Sequence, residues 1–101
     1  MTHETIYDSG QLRIKLKGEL DHHAAKGIME SIASAVDIRL PRSCVLDFSG
    51  VNFMDSSGIA VIMRTKRRMD ELDGAFAVEG LCAQPLKVLS AAGIARTLTV
   101  K

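Results

Sequence analysis

Three features of this chain specify an α/β domain with helices packed on a mixed β-sheet. Residues 11–17 alternate strictly between apolar and polar side chains, as a half-buried strand does. Residues 25–36 and 58–72 carry apolar side chains at helical spacing. Residues 43–48 are mostly apolar without alternation, as expected of a strand covered on both faces. Helices interleaved with strands around such a central strand favour a mixed sheet over a bundle or a sandwich.

The elements follow in order. Glu4–Asp8 forms a short strand, Asp8-Ser9-Gly10 supplies a turn, and Gln11–Lys17 returns as the second arm of a hairpin. In that arm Leu12, Ile14 and Leu16 face one way, and Arg13, Lys15 and Lys17 the other. Gly18-Glu19-Leu20-Asp21 leads into a first helix, with Asp21 as N-cap and Ala25, Ile28, Met29, Ile32 and Val36 on its core side. Pro41 ends that helix. Ser43–Phe48 is the central strand, and Ser49-Gly50-Val51-Asn52 reads as a polar connection. A second helix runs over Ser56–Leu72 with a core stripe of Gly58, Val61, Ile62, Thr65, Met69 and Leu72, and Asp73-Gly74 stops it. Ala75–Glu79 is a short strand. Pro85 suits the first turn of a third helix that packs Leu86, Leu89 and Ala92, with Gly93 just past its end. Thr97–Val100 closes the order β-β-α-β-α-β-α-β, and residues 1–101 are expected to be one domain.

Composition narrows the function. The chain has 101 residues, 47% apolar and 25% charged, which excludes a low-complexity or disordered polypeptide. Its net charge of +1 lacks the electrostatic footprint of a nucleic-acid binder. Phe48, Phe53, Phe76 and Tyr7 are too few aromatic rings for a base-stacking platform. No apolar run approaches the ~18 residues that span a bilayer, and the first residues have no secretory pattern. Neither nucleic acid nor membrane is therefore expected as a partner, and a cytoplasmic location is. Cys44 and Cys82 form neither a disulfide framework nor a metal set.

The segment richest in chemistry is Phe53-Met54-Asp55-Ser56-Ser57-Gly58-Ile59, where a loop enters the second helix. A helix N-terminus offers unpaired amides and a partial positive charge, and so favours a phosphate group. Simple capping explains the same residues: Asp55 would accept from the amide of Ser57 or Gly58. Helical phase adds a distinction. Ser56 projects away from the core stripe, near Ile59 and Met63, whereas Ser57 points to the flank. Two large apolar side chains beside an exposed serine suggest a small docking surface. His22 and His23 are adjacent, so on a helix they diverge by about 100° and suit a metal poorly. The basic run Arg64-Thr65-Lys66-Arg67-Arg68 spreads around its helix and is followed by Asp70, Glu71 and Asp73, as at a solvated helix end. Nothing completes a catalytic site: Gly-x-Ser-x-Gly, a Walker loop and a dinucleotide fingerprint are all absent. No catalytic residue, cofactor or metal is expected. A small hydrolase built on Ser56 is the alternative from another class.

Two stretches together, Gly18-Glu19-Leu20-Asp21-His22-His23-Ala24 and Phe53-Met54-Asp55-Ser56-Ser57-Gly58, resemble the signature segments of anti-sigma factor antagonists. These belong to the STAS (sulfate transporter and anti-sigma factor antagonist) domain family. The Leu-Asp-His-His stretch is most similar to the sporulation branch that controls the forespore sigma factor. The resemblance implies a switch and not an enzyme. The first serine of the motif, here Ser56, would be phosphorylated by an anti-sigma factor that is itself a serine protein kinase. A PP2C-type phosphatase would restore the active form, and Asp21 would contact the kinase. Asp55, Ser57, Gly58, Ile59 and Met63 join Asp21 as expected partner-binding residues, on a domain that is a monomer when free. Another STAS pathway, general stress signalling or a transporter-type domain, is the alternative within the fold. The family usually carries a further helix after the last strand, whereas this sequence stops at Lys101, which implies a missing or truncated helix.

Overall fold

A computed structural model describes residues 1–101. Five strands form one sheet in the order β1-β2-β3-β4-β5, which is also their order along the chain. β1 (Thr2–Asp8) pairs antiparallel with β2 (Gln11–Leu20). β3 (Ser43–Met54), β4 (Ala75–Glu79) and β5 (Thr99–Val100) continue parallel to β2. The connections are α1 (His22–Arg39), α2 (Ser56–Glu71) and α3 (Ala83–Ala91), the last followed by a 3₁₀ turn at Ala95–Thr97. The expected order is thus observed. Consecutive parallel crossovers that advance in one direction, each right-handed, lay their helices on one face of the sheet.

The core agrees with that arrangement. Leu12, Ile14 and Leu16 of β2 and Cys44, Leu46 and Phe48 of β3 join Ile28, Ile32, Val61, Ile62, Met69 and Leu89 in one apolar cluster. The other sheet face carries a polar row, Lys15, Asp47 and Glu79 in register across β2, β3 and β4, beside buried Val45 and Ala77. Arg13 Nη1 lies 3.1 Å from Glu79 Oε1 and 3.6 Å from Asp47 Oδ2. The β1–β2 turn has Ser9 at φ 51° and Gly10 at φ 85°, two successive left-handed residues that match the twist of a two-residue hairpin.

Three expectations are corrected. Ser49–Asn52 is no loop; β3 runs on through Met54 because Val51 and Met54 are fully buried. The register between β2 and β3 slips twice, between Lys15/Lys17 and between Gly18/Glu19, with the extra residue on β3 each time. These bulges turn Ser49, Gly50 and Asn52 outward and hide them from a period-two reading. In α3 the buried side is Pro85 and Leu89 with Val88 beside them, while Leu86 is 42% exposed and Ala92 is exposed. Nine residues give too few turns to fix a phase from sequence. The last strand is only Thr99–Val100, because the 3₁₀ turn takes up Thr97. Gly93, at φ 74°, does follow the C-cap of α3.

Candidate functional site

β2 and β3 end side by side, with Leu20 paired to Met54. Each strand passes directly through one aspartate into a helix, so the tips of α1 and α2 stand together at the C-terminal edge of the parallel strands. In open α/β sheets this edge is where ligands and partners gather, since helix N-termini point there.

Both tips are capped by extended aspartates. Asp21 Oδ1 accepts from the amide of Ala24 at 3.0 Å, in its own helix. That hydrogen bond, opposed by a little desolvation and helped by the charge of His23, holds the Asp21 carboxyl below its ordinary value. Asp55 does more. Its Oδ1 accepts from the Ser57 amide at 2.8 Å, and its Oδ2 accepts from the His22 amide at 3.2 Å, the first residue of the other helix. One carboxylate therefore satisfies an unpaired amide at each of two helix tips. The Asp55 amide in turn donates to Leu20 O at 3.3 Å, which continues the β2–β3 ladder to the loop.

Beneath the loop, Gly58 is buried against Met54 and Leu20; a Cβ at Gly58 would overlap Met54 Cγ and lie 2.5 Å from its Sδ. Absence of a side chain lets α2 sit directly on the end of β3. Gly58 is therefore a packing residue beneath the loop.

Ser56, the first helical residue of α2, is exposed. No hydrogen bond of this loop involves the Ser56 hydroxyl. Ser57 is partly covered and lines the groove between α1 and α2 together with His22, Lys26, Ala60 and Arg64. Ile59 and Met63 are half-buried rather than outward, and Ile59 packs against the core. Because α2 packs on β4 as well as β3, its covered arc is wider than its core stripe alone. They border the exposed serine without projecting from the surface.

The rings of His22 and His23 do not diverge; their centroids lie 4.1 Å apart. No group of three His, Cys, Asp or Glu side chains is arranged to hold a metal. Two members of the basic run are paired, Lys66 with Asp70 and Arg68 with Glu71 and with Asp37 of α1, while Arg64 and Arg67 are exposed. Cys44 is a core residue whose thiol burial pushes up to about 12. Two residues at the site escape sequence reasoning. Phe53 is 40% exposed at the end of β3, an apolar ring beside the loop, and only the bulged register shows it. Gln84 of α3 bonds the backbone of Met54 on both sides of the residue, and no local pattern announces a contact between positions 30 apart.

Comparison with known proteins gives one consistent answer. The STAS domain family profile matches residues 3–101. An anti-sigma F factor antagonist from Paenibacillus polymyxa is 28% identical over 97 residues, which are 96% of this chain and 83% of that protein. Another from Lysinibacillus sphaericus is 32% identical over 74 residues, 73% of this chain and 58% of its own length. Among solved structures, the anti-sigma factor antagonist SpoIIAA in its unphosphorylated form has the same fold, with a TM-score of 0.84 at 24% identity over 99% of this chain and 88% of that one. SpoIIAA in its phosphorylated form aligns with a TM-score of 0.75 at 24% identity, over 99% of this chain and 91% of that one.

Proposed function

Because the chain belongs to the STAS domain family, we propose that it is an anti-sigma factor antagonist switched by phosphorylation of Ser56. In its unmodified form it binds an anti-sigma factor that is also a serine kinase, and so frees the sigma factor. The names of the curated relatives support the antagonist role, and the existence of a phosphorylated SpoIIAA supports the switch.

The observation that carries the proposal is the Ser56 hydroxyl: exposed, unbonded within the chain, and mounted on a helix tip fixed from several sides. The kinase transfers the terminal phosphoryl group of ATP to Ser56 Oγ, and the hydroxyl proton leaves to a base of the kinase. A PP2C-type phosphatase, with divalent metal of its own, later hydrolyses the ester to serine and inorganic phosphate. The new group carries about −1.5 to −2 charges and three acceptor oxygens. The positive pole of α2 accommodates it. Asp55 repels it only in part, since both of its oxygens already accept amides. The domain therefore refolds little, and the effect falls on the complex, where a desolvated dianion faces a surface shaped for a hydroxyl.

The docking surface comprises Asp21, Asp55, Ser57, Ile59 and Met63 around Ser56, with Phe53 as its apolar anchor. Asp21 offers the partner a carboxylate whose proton affinity is held below the ordinary value by the Ala24 amide and, against a little desolvation, by the charge of His23. On this reading the domain acts as a cytoplasmic monomer until it docks. No helix is long and apolar enough to cross a membrane. A hydrolase built on Ser56 is disfavoured, since no histidine bonds that hydroxyl.

Incubation with the cognate anti-sigma factor and ATP, followed by peptide mass mapping, tests the proposal. One phosphoryl group on the Ser56 peptide is expected, and none on Ser56→Ala, which still binds the kinase. Modification confined to Ser57, or no modification of either serine, contradicts it. Acylation of Ser56 by an activated ester would favour the hydrolase instead.

A further inference from the structure

β4 pairs with β3 only from Ser43 to Asp47, so the C-terminal seven of the twelve residues of β3 have no strand on that side. Within a strand, the N–H and C=O of one residue point the same way and alternate from residue to residue. Since the Asp55 amide bonds Leu20 of β2, Met54 turns its own N–H and C=O to the vacant side. Left unpaired at a buried residue, those groups would cost the loop its definition. Gln84, on the first turn of α3, meets both. Its Oε1 accepts from Met54 N at 2.8 Å and its Nε2 donates to Met54 O at 3.0 Å. Only an amide, with donor and acceptor side by side, can stand in for the missing strand residue.

Resting on the switch described above, we propose that Gln84 is a positioning residue for Ser56, and that it makes α3 part of the phosphorylation device. Met54 precedes Ser56 by two residues, and its side chain is the floor on which Gly58 rests. Gln84 therefore holds from the outside the same residue that α2 grips from the inside. Loosening Met54 lets the loop swing while Asp21, Asp55 and the docking surface keep their chemistry. Presentation of the hydroxyl should suffer before binding does.

The test uses the full chain with Gln84→Leu, which keeps volume and removes both polar groups, and Gln84→Glu, which keeps the acceptor and loses the donor. Amide hydrogen exchange without kinase reads the clamp directly. Met54 should exchange about tenfold faster in Gln84→Leu, with an intermediate effect in Gln84→Glu and unchanged rates in the middle of α1. Steady-state phosphorylation reads the positioning: kcat should fall about tenfold in Gln84→Leu at nearly constant KM. Unchanged exchange at Met54, acceleration spread evenly over the chain, or faster exchange with an unaltered kcat each overturn the inference. A wild-type chain that accepts no phosphate overturns the switch itself, while exchange at Met54 still decides whether the clamp exists.

Discussion

The tips of α1 and α2 begin with the same device, an extended aspartate after a buried strand residue, yet they are held very differently. Asp21 binds only its own helix, through one oxygen. Asp55 uses both oxygens, one in each helix, and sits between a ladder bond to Leu20 and the Gln84 clamp on Met54. Packing of Gly58 on Met54 completes the hold on α2. The difference shows that chemically similar ends can be held to different degrees. On the proposed switch, the tip that presents Ser56 is tied to three elements, while the tip that offers the Asp21 charge is held by its own cap and by the one bond from His22 to Asp55.

The largest expected break in this comparison is at Gly58. Gly58→Val forces a branched side chain onto Met54 and should destabilise the domain by about 3 kcal/mol, lowering Tm by more than ~10 °C. Thermal unfolding followed by circular dichroism checks this, and an unchanged Tm would remove the packing role given to that glycine. Asp55→Ala comes next, since it strips an amide from each helix tip; a loss of about 2 kcal/mol in denaturant unfolding is expected. Asp55→Asn sharpens the point. Asparagine caps α2 as well as aspartate does but has one acceptor oxygen, so it should lose only the bond to His22, roughly half the effect of alanine. Full stability in Asp55→Asn would mean that the bond between the helices contributes nothing.

Asp21 should matter least to stability and should matter in acid. Its folded-state pKa lies below its unfolded value, so the bonded carboxylate stabilises fully above the unfolded pKa near 4. That contribution disappears as pH falls through the lower, folded value. Asp21→Asn should therefore leave stability at pH 7 nearly unaltered and flatten the acid limb of the stability curve below about pH 4. Asp47 is also lowered, its burial outweighed by hydrogen bonds from Ser49 and by the charges of Arg13 and Lys15, and it is present in both proteins. The difference between the two curves isolates Asp21; parallel curves would contradict its depressed pKa.

Much of this frame is legible in sequence, and the physical reason is repetition. Alternation along Leu12, Ile14 and Leu16 and the stripes on α1 and α2 each recur several times, so one residue out of place does not mislead. The two aspartate caps are legible too, because a cap is decided within a few residues. What escapes depends on partners remote in sequence. The bulges that carry β3 through Ser49–Met54 exist only against β2. The half-burial of Ile59, which packs against the core, depends on neighbours that helical phase alone does not show. Gln84 looks like any polar residue at the start of a helix until Met54 is beside it. Asp55 is recognisable as a cap, but its second bond, to His22, needs the tips to be neighbours, which only the pairing of Leu20 with Met54 provides.

Isothermal titration of the anti-sigma factor with the unmodified chain, and then with the chain quantitatively phosphorylated on Ser56, tests the switch most directly. Desolvating the added charge should weaken binding by about 3 kcal/mol, about a hundredfold or more in Kd, while amide shifts beyond residues 50–65 stay close to those of the unmodified form. Equal affinity of the two forms would contradict the account.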